Sequence, residues 1–174
     1  MTGVQTCALP ISQSFFAFDA GFTGGVNVAA ADLDGDGRAE VVAAAGPGGG
    51  PHVKAFGFAT GGPVVTRSYF AFDAGFRGGV FVAAGTFGVA AAQGVGGTNE
   101  IRLSGGGKFV AYESVFTGGV RLGSYDFNGD GTDEILAAPG AGGGPRVQAF
   151  TPAGGAAFNA FAFDNAARSG YFIG

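Results

Sequence analysis

Short apolar segments recur along the chain and are separated by turns rich in glycine and proline. In the first of them, Val26, Val28 and Ala30 follow the two-residue period of a strand with one buried face. Glycine at this density disfavours helix. The first part of the chain is therefore predicted to hold four strands, at Val26–Leu33, Glu40–Ala45, His52–Phe58 and Ser68–Phe72.

The same segments return further along the chain. SFFAFDAGFTGGV at Ser14–Val26 returns as SYFAFDAGFRGGV at Ser68–Val80, as AYESVFTGGV at Ala111–Val120 and as FAFDNAARSGYFIG at Phe161–Gly174. A second block, Ala31–Phe56, returns at Tyr125–Phe150. The repeats run approximately over 14–67, 68–109, 110–157 and 158–174. Four strands per repeat are typical of a β-propeller, although a β-solenoid or a sandwich array shares part of the pattern.

We therefore predict an all-β fold, a partial β-propeller of four-stranded antiparallel blades, with about three blades and part of a fourth. Such a number of repeats does not close a ring. Its terminal blades are expected to expose sheet edges and apolar faces. An isolated chain of this kind should be marginally stable, self-associating or an open arc.

Composition supports an ordered chain despite its 37 glycines among 174 residues. With 47% hydrophobic and 13% charged residues, it has enough apolar surface to offset the entropy of folding. The net charge of −4 and the lack of a basic stripe argue against nucleic acid as a partner. No apolar run is long enough for a transmembrane helix, so we expect no membrane span.

Residues 1–11, MTGVQTCALPI, fit nothing that follows them and match the translation of a sequencing adapter. We treat them as a non-native segment and take 12–174 as the propeller fragment. Excluding them removes the single Cys and the single Met. The remainder then has no disulfide, thiolate nucleophile or cysteine-based zinc site.

Two acidic segments carry the candidate chemistry. Asp32-Leu33-Asp34-Gly35-Asp36-Gly37-Arg38-Ala39-Glu40 has acids at positions 1, 3, 5 and 9, and Asp126-Phe127-Asn128-Gly129-Asp130-Gly131-Thr132-Asp133-Glu134 has the same spacing with Asn at position 3. Calcium prefers six to eight hard oxygen ligands, which a tight turn supplies from alternate side chains and a backbone carbonyl at position 7. Carboxylates this close repel one another, so a bound cation is expected.

Three other interpretations of these segments fit less well: an ordinary hairpin turn, an EF-hand and a magnesium site. Asp-Gly pairs are common in ordinary hairpin turns, but two copies at the repeat offset favour calcium. An EF-hand requires a bidentate Glu at position 12, where Ala43 and Ala137 stand. Magnesium fits an all-protein cage less well. In the middle repeat, Thr86–Gly97 has no acids, so no metal is expected there.

With these segments the repeats resemble FG-GAP (VCBS-like) repeats, and the acidic turns are similar to the DxDxDGxxD/E calcium motifs of integrin α-subunit propellers. The resemblance covers residues 13–174. It implies one blade per repeat, calcium in the hairpin between the first two strands of a blade, and an extracellular setting, secreted or on the cell surface. The implied ligands are Asp32, Asp34, Asp36, Glu40 and the Arg38 carbonyl, then Asp126, Asn128, Asp130, Glu134 and the Thr132 carbonyl.

The remaining chemistry-bearing residues do not form a catalytic set, and we predict that the chain is not an enzyme. Asp19, Asp73, Glu113 and Asp164 stand at one repeat position and are predicted to form turns between blades. His52, the single histidine, has Arg146 as its counterpart, and no Ser-His-Asp set is supported. Gly46–Pro51 and Gly140–Pro145 lack the GK[ST] of a phosphate loop and are predicted to be tight turns.

These features lead to one main functional hypothesis and two alternatives. The main one is a calcium-binding propeller module of a larger protein, with calcium in two sites and a role in adhesion, protein binding or structure. The first alternative is a carbohydrate-binding, lectin-like propeller with glycan ligands. The second is a non-catalytic part of a secreted enzyme.

Overall fold

The computed structural model describes residues 13–164 and 166–173, and the adapter-like segment 1–11 lies outside the described residues. The described part of the chain contains twelve strands and no helix. The strands are β1 Val26–Ala31, β2 Glu40–Ala45, β3 His52–Ala59, β4 Gly62–Phe70, β5 Val80–Gly85, β6 Gly88–Gln93, β7 Glu100–Leu103, β8 Lys108–Val110, β9 Val120–Tyr125, β10 Glu134–Pro139, β11 Arg146–Phe150 and β12 Ala156–Phe161. Nothing helical in the described residues is long and apolar enough to cross a membrane.

The strands form three four-stranded antiparallel sheets, each made of strands consecutive in sequence. We call them the first sheet (β1–β4), the middle sheet (β5–β8) and the third sheet (β9–β12). The predicted all-β class and the four-stranded antiparallel sheets are confirmed. In each sheet the first two strands pair over six residues, which fixes the ends that the connecting turn must join.

Three of the four predicted strands have different boundaries in the structure. The first strand ends at Ala31 and not at Leu33, because the backbone N–H of Leu33 donates to Oε2 of Glu40 over 2.8 Å. The third strand extends one residue further, to Ala59. The fourth begins at Gly62, earlier than predicted, and ends at Phe70. Pro63 lies within it opposite Phe58, and β4 is an edge strand, where proline is tolerated.

We call the face of each sheet that carries Val26, Val80 or Val120 its front, and the opposite face its back. The back of one sheet packs against the front of the next. One core cluster joins Val42, Ala44 and Val53 on the back of the first sheet to Val80 and Val82 on the front of the middle sheet. A second cluster repeats the arrangement between the middle and third sheets, joining Ala90, Ala92 and Ile101 to Val120, Leu122, Ile135 and Ala137. The many alanines allow the sheets to approach closely, so a core of small side chains is buried.

Among the described residues, no sheet packs on the front of the first sheet, and β1 is exposed there. Val28 is 66% exposed, whereas its counterparts Val82 and Leu122 are 5% and 7% exposed. Val26 is likewise exposed, while Val80 and Val120 are fully buried. Equivalent valines thus differ in burial because the middle and third sheets each have a preceding sheet against this face.

Candidate metal centre

The acidic segments connect the first two strands of the first and third sheets. The first turn spans residues 32–39 between β1 and β2, and the second spans residues 126–133 between β9 and β10. Gly35 and Gly37 have φ of 81° and 85°, and Gly129 and Gly131 have φ of 75° and 85°. Positive φ is favourable only for glycine, so the glycines at positions 4 and 6 are required by the shape of the turn.

In the first turn the carboxylates bind the turn's own backbone. Oδ1 and Oδ2 of Asp32 accept the N–H groups of Gly35 and Gly37 over 2.7 and 2.9 Å. Oδ1 of Asp34 accepts the N–H of Asp36 over 3.1 Å. Each carboxylate is thereby turned toward the inside of the loop.

The carboxylates of Asp32, Asp34 and Glu40 converge on one point, with one oxygen of each lying within 4.8 Å of the others. Asp36 does not belong to this group, and its Oδ1 accepts the N–H of Arg38 over 2.8 Å. The two aspartates are exposed, but Glu40 is only 5% exposed. Three of the four predicted acidic ligands are therefore brought together.

The second turn repeats this hydrogen bonding. Asp126 accepts the N–H of Gly129 on Oδ1 over 2.8 Å and that of Gly131 on Oδ2 over 2.9 Å. The N–H of Phe127 donates to Oε2 of Glu134 over 2.8 Å, as that of Leu33 does to Glu40. Glu134 is 2% exposed. The same sequence spacing thus gives the same local structure in both outer sheets.

Asn128 makes the second turn chemically different. Its Nδ2 donates to Oδ2 of Asp130 over 3.0 Å and to Oε1 of Glu134 over 3.2 Å. Its Oδ1 accepts the N–H of Asp130 over 2.9 Å. The amide N–H groups therefore occupy the carboxylate oxygens that a cation would use, and the two compete for them.

Backbone donors favour the ionised acids in both turns. The N–H groups of Gly37 and Gly35 lower the pKa of Asp32 below its usual range. The pKa of Asp130 is lowered in the same way, mainly by the N–H of Thr132 and then by the amide of Asn128. Both carboxylates are exposed to solvent, so these turns carry negative charge at neutral pH.

The donor set fits a hard divalent cation. Every predicted side-chain ligand offers oxygen, and none offers nitrogen or sulfur, which is the choice of calcium and magnesium. The buried carboxylates of Glu40 and Glu134 take part in none of the three ion pairs among the described residues. Buried acids without a cationic partner are costly, and a bound cation offsets that cost.

Arg38 and Thr132, at position 7 of the two turns, contact the predicted sites through their backbone N–H groups. Those of Arg38 and Thr132 donate to the position-5 carboxylates over 2.8 Å. Ligation by their carbonyls stays a prediction.

Comparison of the chain with protein-family models, with curated proteins and with solved structures found no match. The geometry of the two turns is therefore what supports a function.

The middle sheet connects its first two strands by a different turn. β5 ends at Gly85, β6 begins at Gly88, and Thr86 and Phe87 alone lie between them. Half of the stretch Thr86–Gly97, which has no acids, belongs to β6, so the acidic loop is absent from this sheet. Gly88, with a φ of 84°, stands where Glu40 and Glu134 begin their strands.

The acids at the other repeat position form turns, as predicted. Oδ1 of Asp19, Asp73 and Asp164 each accepts a backbone N–H two residues on, over 2.8 Å. Glu113 differs, because its Oε1 pairs with Arg146 over 2.8 Å. Its pKa is lowered first by its own backbone N–H and further by Arg146.

The remaining predicted positions are structural in their contacts. Nε2 of His52 lies 2.8 Å from Oγ of Ser68, and its ring packs between Phe18 and Phe70. Burial lowers its pKa, with a smaller contribution from Lys54. The segments 46–51 and 140–145 are tight turns between strands, as predicted.

Sequence reasoning missed one contact at the site. Asp133, at position 8 of the second turn, exchanges hydrogen bonds with Thr86 of the middle sheet. Nothing in the local sequence signals this contact, since the two residues are 47 positions apart. The substitution of Asp133 for Ala39 between the two turns is the one difference that could have drawn attention to it.

Proposed function

We propose that the chain is a calcium-binding module whose two ions lie in the acidic turns of the first and third sheets. The observation that carries the proposal is the convergence of Asp32, Asp34 and Glu40 within 4.8 Å, with Glu40 buried beneath the turn. The second turn adds support because Asp126 and Glu134 repeat the backbone hydrogen bonds of Asp32 and Glu40. A bound calcium ion would supply positive charge that holds the turn's oxygens together.

In this proposal the three sheets are consecutive blades of a β-propeller. The repeated packing of the back of one sheet on the front of the next supports it. The first strands of neighbouring sheets are also linked directly, by Nδ2 of Asn27 to the Val80 carbonyl over 2.7 Å and by Oγ of Ser124 to the Ala84 carbonyl over 2.7 Å. The open front of the first sheet, with Val26 and Val28, would then be a self-association surface of this chain.

The biological role proposed for the module is adhesion, protein binding or structural support within a larger secreted or surface protein. Its calcium would be structural. It would hold the oxygens of each turn together. An ion at ten times its dissociation constant would stabilise the fold by about 1.4 kcal/mol per site.

Thermal unfolding with calcium and with EGTA tests the proposal. Calcium should raise the melting temperature, and the same concentration of magnesium should raise it less. A midpoint that is identical in calcium and in EGTA would refute calcium as a structural ligand.

A second candidate, glycan binding, is favoured by grooves between the sheets. One of about 460 Å³ is lined by the ring of Tyr112, the Arg146–Glu113 ion pair and the Gly142–Gly144 turn. An aromatic ring beside planar polar groups is suited to a sugar. Binding on a glycan array that is lost in Glu113→Ala, a change of an exposed side chain, would support this candidate, and an array without binding would exclude the glycans it carries.

A further inference from the structure

The turn of the third sheet is fastened to the middle sheet by a reciprocal pair of hydrogen bonds. The backbone N–H of Thr86 donates to Oδ2 of Asp133 over 2.8 Å, and the N–H of Asp133 donates to Oγ1 of Thr86 over 2.7 Å. One pair of residues thus satisfies two backbone donors, as in the capping box of a helix. We call this contact the Thr86–Asp133 clamp.

The clamp holds the turn at Asp133, which lies between two predicted calcium ligands. Asp133 follows Thr132, whose carbonyl is a predicted ligand, and precedes Glu134, whose carboxylate is buried. Asp133 is not itself a predicted ligand. Holding its backbone N–H fixes the chain on both sides of it, and so restricts where the Glu134 carboxylate can lie.

The middle sheet leaves room for the Asp133 side chain at Gly85 and beside its short turn. A Cβ on Gly85 would lie 2.6 Å from Oδ2 of Asp133, which is closer than any side chain allows. The turn at Thr86 and Phe87 is short, so it does not cover the place where Asp133 lies. In the first turn the equivalent residue is Ala39, whose side chain has no hydrogen-bonding atom.

We infer that the Thr86–Asp133 clamp positions the third-sheet turn for calcium, so that Thr86, in a sheet without an acidic turn, sets the affinity of its neighbour's site. The inference rests on the proposed function. Ligands already held in place lose less freedom on binding, and groups that orient metal ligands contribute measurably to metal affinity. Thr86 is a positioning residue in this account and does not touch the ion.

The test compares Thr86→Val with Thr86→Ser in the full chain. Valine keeps the branched shape and the backbone N–H but has no acceptor for the N–H of Asp133, whereas serine keeps the hydroxyl. Both variants carry Asp32→Asn and Asp34→Asn, so that calorimetric titration with calcium chloride reports the third-sheet turn. Thr86→Val should weaken binding about five- to tenfold, and Thr86→Ser should stay within about twofold of the parent.

Ser124→Ala is the matched control, because it removes the hydrogen bond of Ser124 to the Ala84 carbonyl, between the same two sheets but outside the turn. Its affinity should equal that of the parent. An equal loss in Ser124→Ala and Thr86→Val would show that sheet packing in general sets the affinity, and would overturn the inference. An unchanged affinity in Thr86→Val would also overturn it.

Melting in EGTA supplies a readout without metal. All variants should unfold cooperatively in EGTA. The rise in midpoint on adding calcium should shrink in Thr86→Val but not in Thr86→Ser or Ser124→Ala. A chain that binds no calcium in either turn, before any substitution, would refute the proposed function itself. Binding that the clamp variants leave unchanged would refute only the clamp.

Discussion

The first and middle sheets begin with nearly the same strand and then diverge. β1 and β5 carry valine at equivalent positions, and each pairs with the next strand over six residues. The first sheet then has the acidic turn 32–39, whereas the middle sheet turns within Thr86 and Phe87. Because the middle sheet pairs its strands without acids, the acids of the first sheet are not needed for the hairpin. A bound cation is the reason we propose for them.

The largest effect is expected when the first sheet receives the two-residue turn of the middle sheet, which tests whether the acids serve the fold or a ligand. Replacing residues 32–39 by Thr-Phe, together with Glu40→Gly, should leave the sheet folded while abolishing one of the two calcium sites. Calorimetric titration should then give one ion per chain in place of two. A variant that fails to fold even in calcium would show that the acidic turn is part of the fold.

The equivalent valines provide the next largest effect. Val82→Asp buries a charge between two sheets and should destabilise the chain by at least about 4 kcal/mol or prevent folding. Val28→Asp changes an exposed side chain and should alter the free energy of unfolding by less than about 0.5 kcal/mol. Urea unfolding measures both.

The same pair tests the open front face of the first sheet. If this face is a self-association surface, Val28→Asp should also lower the apparent mass in sedimentation at high concentration. A stable monomer at all concentrations, before any substitution, would contradict that part of the account.

A smaller effect is expected from Asn128→Asp, which makes the third-sheet turn match the first. The substitution replaces an amide donor to Asp130 and Glu134 by a further carboxylate. Calcium affinity depends on the number of charged ligands, so it should rise several-fold at this turn, while stability in EGTA should fall. A weaker calcium affinity in the variant would contradict the ligand role of position 3.

The smallest effect is expected at Glu100 of the middle sheet, whose contribution to the free energy of unfolding depends on pH. The hydrogen bond from Arg102 lowers the pKa of Glu100, and Lys108 adds to this. A lowered folded-state pKa stabilises the fold above the unfolded-state value of about 4.3, and this stability is lost as the pH falls through the folded-state pKa. Glu100→Gln should therefore destabilise the chain at pH 7 by a few tenths of a kcal/mol. Equal effects at pH 7 and pH 3 in urea unfolding would contradict this origin.

The sequence was informative where spacing alone determines structure. Acids at alternate positions with glycines between them predicted both turns, because only such a spacing points several carboxylates inward. It failed at β4, which was predicted to begin at Ser68 and begins at Gly62, since the pattern does not reveal that β4 is an edge strand. It also could not predict the two-residue turn at Thr86 or the Thr86–Asp133 clamp, which depend on pairing between distant segments.

Calorimetric titration of the unmutated chain with calcium tests the central claim most directly. We expect two ions per chain, with Glu40→Gln and Glu134→Gln each removing one and Glu100→Gln, an acid outside the turns, removing neither. A titration without heat or bound ion, or one whose stoichiometry is the same in all three variants, would contradict the account.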